Sequence, residues 1–193
     1  MKHALRIALL AMSVALSATS HATGTEALRA GVFDPARQAP DFTVHGTQGT
    51  ALTLSHYRGK VVLLGFGYTS CPDVCPVTLA VLAEARRKLG PLGSQVQVIY
   101  LTVDPERDNV RQLKIFLNSF DSSFVGGTGS VQQMAAVRKD YGVTAEKHGS
   151  GKDYAMAHSS FIYLISRDGK LQALMPFGHT ADDYVHDLSV LLN

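Results

Sequence analysis

A buried strand that feeds a helix, a second strand parallel to the first, and a late antiparallel hairpin closed by a helix predict an α/β fold. The first observation is the continuous apolar run Val61-Val62-Leu63-Leu64-Gly65-Phe66, which suits a strand covered on both faces. A helical pattern from Pro76 to Leu89 and an apolar strand from Val96 to Val103 follow it, the order of a parallel βαβ unit. The third is the pair of short apolar segments around Asp168-Gly169, followed by a last helix. Together they predict a thioredoxin-like arrangement with an N-terminal hairpin and a helical insertion.

The elements read in order as follows. Met1, Lys2 and Arg6 precede the apolar run Ile7 to Ala18, and Ser20-His21-Ala22 is a small-x-small site, so residues 1–22 read as a secretory signal peptide. The run has 12 residues, short of the roughly 18–20 that span a bilayer. Cleavage and a soluble, exported, periplasmic product are therefore expected, with membrane attachment only through an uncleaved segment. Residues 23–39 mix Gly, Ala, Arg and Pro without period and read as a linker or loosely docked arm, with order beginning near Pro40 and one domain over 40–193. Phe42-Thr43-Val44 and Ala51 to Leu54, joined across Gly46 to Gly49, form a hairpin signature.

After the first core strand, Leu79, Leu82, Ala83 and Leu89 keep helical spacing until Gly90-Pro91 ends the helix. Asp104-Pro105-Glu106 reads as an N-cap, a first-turn proline and a dipole-favoured acid, opening a helix to about Phe120. The inserted helix, Val131 to Tyr141, stops at Gly142. Strands Phe161 to Ile165 and Leu171 to Leu174 flank the Asp168-Gly169 turn, and Thr180 opens a last helix ending at Leu192.

Charge narrows the function classes. The chain has 193 residues with 18 basic and 16 acidic side chains. Loss of residues 1–22 removes Lys2 and Arg6 and no acid, which leaves 16 against 16. A neutral domain without a basic cluster offers no electrostatic footprint for nucleic acid.

Both cysteines lie in Cys71-Pro72-Asp73-Val74-Cys75, just after the first core strand. That is the carboxyl end of the strand, where open α/β sheets place their sites. Pro72 and Pro76 bias the residue before each toward extended or turn geometry, and Pro76 suits the start of a helix. The cysteines are thus expected in the turn before a helix, at its electropositive end, where thiolate is favoured over thiol. Asp73 reads as a turn former, and Phe66 and Tyr68 as core packing or a shield over the site.

Three readings remain open for the pair: a structural disulfide, a redox couple and a chelate. So short a loop gives a staple little chain entropy to remove. Two sulfurs joined by an imidazole would select Cu(I) or zinc, although closed zinc sites ordinarily use four ligands. Among eight histidines, His3 and His21 belong to the signal segment, and His45 and His56 lie in or beside the N-terminal hairpin. His148 sits in a Gly-rich, solvated loop, His179 in the loop before the last helix and His186 on that helix. His158 stands just before the strand Phe161 to Ile165, with small neighbours Ala157, Ser159 and Ser160, in the loop that faces the cysteine turn in a thioredoxin-like sheet.

Phe66-Gly67-Tyr68-Thr69-Ser70-Cys71-Pro72-Asp73-Val74-Cys75-Pro76, then Val103-Asp104-Pro105-Glu106-Arg107-Asp108, then His158, closely resemble the Sco (SenC-like) family over roughly residues 38–192. The resemblance implies an exported or membrane-tethered copper protein of thioredoxin fold that helps assemble the binuclear copper centre of cytochrome c oxidase. Its partner would be the copper-receiving subunit of that oxidase or another copper protein. By position, Cys71, Cys75 and His158 would be the copper ligands. An alternative is a thiol-disulfide oxidoreductase in which Cys71 and Cys75 cycle without an obligatory metal. One departure is Ala157, where family members commonly place an aspartate, so His158 is expected to lack a carboxylate that orients its ring.

Overall fold

Strand β4 (Val61–Gly67) is buried at all seven positions and forms the centre of the molecule. It pairs in parallel with β5 (Val96–Thr102) on one side and antiparallel with β9 (Phe161–Ile165) on the other. The computed structural model describes residues 27–151 and 153–193. The expected signal segment, residues 1–22, lies outside the described residues.

The main sheet has eight strands in the order β1-β10-β9-β4-β5-β6-β2-β3. Its other members are β1 (Gly31–Gln38), β2 (Thr43–Gly46), β3 (Ala51–Thr53), β6 (Val125–Thr128) and β10 (Lys170–Pro176). Helix α1 (Val74–Lys88) connects β4 to β5 and buries Leu79, Leu82 and Ala85, a spacing of three that puts one stripe against the core. Helix α2 (Val110–Asn118) follows β5, α3 (Val131–Tyr141) is the inserted helix, and α4 (Ala181–Leu192) packs beside α1. Thr180 opens α4 with a reciprocal capping box to Asp183, as the sequence predicts. Among the described residues no helix is long and apolar enough to cross a membrane.

The structure departs from the sequence reading at four places. Residues 31–38, expected as linker, are the edge strand β1, paired with β10 across a register break between Val32 and Arg37. Its alternation is weak because one face is exposed and Pro35 occupies the break, a position an edge strand tolerates. The buried Asp187 carboxylate of α4 also accepts the backbone N–H groups of Arg29 and Ala30 at 2.8 and 2.9 Å, which docks the arm.

The helix expected from Asp104 begins instead at Val110, capped by a reciprocal box between Asn109 and Gln112. The Asp104 side chain is used elsewhere. Cys75 lies inside the first turn of α1 rather than before it, and only Cys71 occupies the turn. Finally, β6 and a separate hairpin of β7 (Ala145–His148) and β8 (Ala155–His158) were not expected. They are short, and the hairpin is largely exposed.

Candidate metal centre

The ligand atoms of Cys71, Cys75 and His158 all lie within 4.8 Å of one another. No other such group of histidine, cysteine and acidic residues occurs among the described residues. Strand β4 delivers Cys71 to a tight turn in which its N–H donates to the Tyr68 carbonyl at 3.3 Å. Helix α1 carries Cys75, and the last residue of β8 is His158, whose Nε2 stands 3.6 Å from the Cys75 sulfur. Both cysteines are free. Donors bonded to one ion at about 2.0–2.3 Å stand about 3.5–4 Å apart, so this spacing fits a shared ion.

The His158 ring has a fixed tautomer. Its Nδ1–H donates to the Ser159 carbonyl at 2.9 Å, which leaves the Nε2 lone pair facing the sulfur. The backbone thus does what a carboxylate neighbour would otherwise do, and Ala157 does not leave the ring unoriented. Burial lowers the His158 pKa, so the ring is neutral at neutral pH and its Nε2 lone pair is available to a metal.

Cys75 is only 1% exposed. Burial pushes its thiol up to about 12, against the pull of hydrogen bonds from the Tyr100 side chain and the Tyr68 backbone. This reverses the expectation that the helix start would favour thiolate at Cys75: desolvation outweighs the dipole. Metal binding there must expel a proton. Cys71 is half-buried and so the more exposed of the two cysteines.

The segment Asp104 to Asp108 holds the two halves together. Asp108, 1% exposed, accepts from the Thr69 N–H at 3.0 Å, from the Thr69 hydroxyl, and from the Thr102 hydroxyl at 2.7 Å. It thereby fixes the chain two residues before Cys71. Asp104 pairs with Arg107 and accepts from the Tyr154 hydroxyl at 2.6 Å. Arg107 in turn donates to the Tyr154 carbonyl at 2.9 Å and stacks on its ring at 3.6 Å. Tyr154 precedes β8, so these contacts seat the hairpin that carries His158. The sequence suggests a helix cap at Asp104; three acids and an arginine within five residues were the available signal for this network.

The remaining candidates lie elsewhere. His148 is exposed on β7 near Glu146, His179 stands 3.6 Å from Asp183, and His186 Nδ1 is 2.9 Å from Asp187. His45 is on β2 and His56 in a short 3-10 turn, Leu54–Tyr57. Asp73 occupies the cap position of α1 without a side-chain cap bond. Phe66 packs in the core against Tyr141 and Tyr163, while the Tyr68 ring meets the His158 ring edge-on at 5.9 Å.

Comparison with known proteins agrees with this geometry. The SCO1/SenC family profile matches residues 32–193. A bovine relative, mitochondrial protein SCO2 homolog, is 38% identical over 149 residues, covering 75% of this chain and 54% of the relative. The chain spans about half the length of the curated relatives it matches. The structure of Bradyrhizobium japonicum ScoI with copper bound is 35% identical with a TM-score of 0.74, covering 80% of this chain and 99% of that one. BsSco, a Sco family member of the cytochrome c oxidase assembly proteins with a disulfide switch, is 26% identical with a TM-score of 0.68, covering 84% of this chain and 98% of that one. The matched span contains the sheet from its second residue on, the cysteine turn and His158, and the chain belongs to the SCO1/SenC family.

Proposed function

We propose that this protein is an exported copper-binding assembly factor that delivers copper to the binuclear copper site of cytochrome c oxidase or prepares the thiols of that site. The observation that carries the reading is the convergence of Cys71, Cys75 and His158, two soft sulfurs and a neutral imidazole, with donor atoms within 4.8 Å. Such a donor set prefers Cu(I) to hard cations. Copper is cargo here rather than a resident catalyst. Cys71 and His158 are half-buried whereas Cys75 is closed off, so a client's ligands would replace the first two before the last.

Loading the purified protein with Cu(I) under reducing conditions tests this reading. His158→Ala and Cys71→Ala should each lose copper stoichiometry or affinity; unchanged values in both would overturn it. Export rests on residues 1–22. Mass spectrometry of the secreted fraction should find an N-terminus near residue 23, and an intact Met1 would contradict cleavage.

The asymmetry of the cysteines favours a second reading beside the first. Cys71, the more open sulfur, would attack a client disulfide as thiolate and form a mixed disulfide. Cys75 would then lose its proton and displace the client's second sulfur, leaving the client as dithiol and Cys71–Cys75 oxidised, two electrons having passed. His158 separates the readings: its loss should abolish metal binding and spare thiol exchange.

A further inference from the structure

Tyr100 is a polar residue in the middle of the most buried pair of strands. It lies on β5, opposite Gly65 of β4, and is 2% exposed. Its ring runs along two glycines. A Cβ at Gly65 would meet the Tyr100 ring at 3.0 Å, and a Cβ at Gly67 would meet the Tyr100 hydroxyl at 1.7 Å and the Cys75 sulfur at 2.8 Å. Gly65 and Gly67 therefore clear a channel along β4 that brings the phenol end to the sulfur. The hydroxyl and the Cys75 sulfur thus face each other across Gly67, and Tyr100, Cys75 and His158 line one small cavity. A phenylalanine would fill the same channel, so packing alone leaves the hydroxyl unexplained.

Tyr68 stands in the same relation to the other sulfur. It is 3% exposed, and its hydroxyl accepts the Met156 N–H at 3.4 Å. That leaves its own proton for another acceptor, and the Cys71 sulfur is a neighbour of the phenol.

We propose that Tyr100 and Tyr68 are positioning residues of the metal centre, each donating a hydrogen bond from its hydroxyl to one sulfur and so setting that sulfur's strength as a donor to copper. This deepens the copper reading and rests on it. A hydrogen bond to a coordinating sulfur lowers the energy of the lone pair that faces the ion, and such bonds tune the potential of copper–thiolate sites. A coordinating thiolate has no proton to give, so each phenol can act only as a donor toward it. In a carrier the consequence is moderation. Sulfurs that share their electron density with a phenol hold the ion less covalently and yield it more readily to an incoming thiolate.

The test uses the full chain with Tyr100→Phe, Tyr68→Phe and the double variant, each loaded with Cu(II) and then titrated through the copper couple. Circular dichroism and the thermal midpoint monitor the fold. The expected result is a shift of the sulfur-to-copper charge-transfer band to longer wavelength and a lower copper potential in each single variant. The double variant should shift further, with copper stoichiometry unchanged throughout. A wild-type band that neither folded single variant moves overturns the tuning role and leaves the copper reading standing. Absence of any sulfur-to-copper band in the wild type overturns the tuning role, and Cu(I) stoichiometry measured beside it decides the copper reading separately. Should Tyr100→Phe fail to fold, Tyr68→Phe decides, because its ring packs against His158 rather than within the glycine channel.

Discussion

The Asp108 carboxylate holds Thr69 through both its backbone N–H and its hydroxyl, and so anchors the turn that presents Cys71 from 37 residues further along the chain. Asp108→Ala would leave three donors facing an empty space in a buried site. A loss of about 2–4 kcal/mol in unfolding free energy is expected, measured by urea denaturation. Copper affinity should fall as well, although no ligand is touched.

Gly67→Ala is expected to damage the site by crowding. The new methyl would collide with the Tyr100 hydroxyl and press on the Cys75 sulfur at 2.8 Å. Overpacking of this kind costs about 1–3 kcal/mol. Thermal unfolding reports the loss, and reduced Cu(I) retention under competition with a chelator should accompany it.

Cys75 and His158 make stability depend on pH in opposite directions. The native thiol of Cys75 titrates near 12 and the unfolded one near 9.0, so between those values the native state binds more protons and stability falls as pH rises. The slope is up to about 1.4 kcal/mol per unit, and Cys75→Ala should flatten it. The His158 pKa is lowered in the native state, so the unfolded chain binds the extra proton below about 6.5 and stability falls as pH drops. His158→Ala should remove that acid-side slope. Denaturant midpoints from pH 5 to 11 measure both arms.

Asp187→Ala tests the docked arm away from the metal centre. Its carboxylate takes the backbone N–H groups of Arg29 and Ala30 into a buried site, and leaving these unpaired is expected to cost about 1–3 kcal/mol. Copper stoichiometry should not change. Proteolysis near Arg29 should quicken.

The central strands and the three candidate ligands were legible because each left a local signal. Val61 to Phe66 is apolar enough to require burial on both faces, and Cys71, Cys75 and His158 are residue types with few structural substitutes. Strand β1 left no such signal, since its pairing with β10 uses backbone groups and its side chains are mostly exposed. The β7–β8 hairpin is likewise short and largely exposed, and β6 is four residues of which two are glycines, with little side-chain pattern to mark a strand. Asp104 misled because Asp-Pro-Glu is a sound helix opening. Only the fold brings Tyr154 to it, and that bond, with the local pair to Arg107, takes the carboxylate away from a cap. The thiolate at Cys75 failed as an expectation because a sequence shows a helix start but not the depth at which the sulfur is buried.

The central claim is that Cys71 and Cys75 share one copper ion with His158, 83 residues beyond Cys75. X-ray absorption at the copper edge of the Cu(I)-loaded protein tests it most directly. The account predicts two sulfur scatterers and one imidazole, with the imidazole signal lost in His158→Ala and sulfur retained. An imidazole signal that persists in His158→Ala, or a copper shell without sulfur, would contradict it.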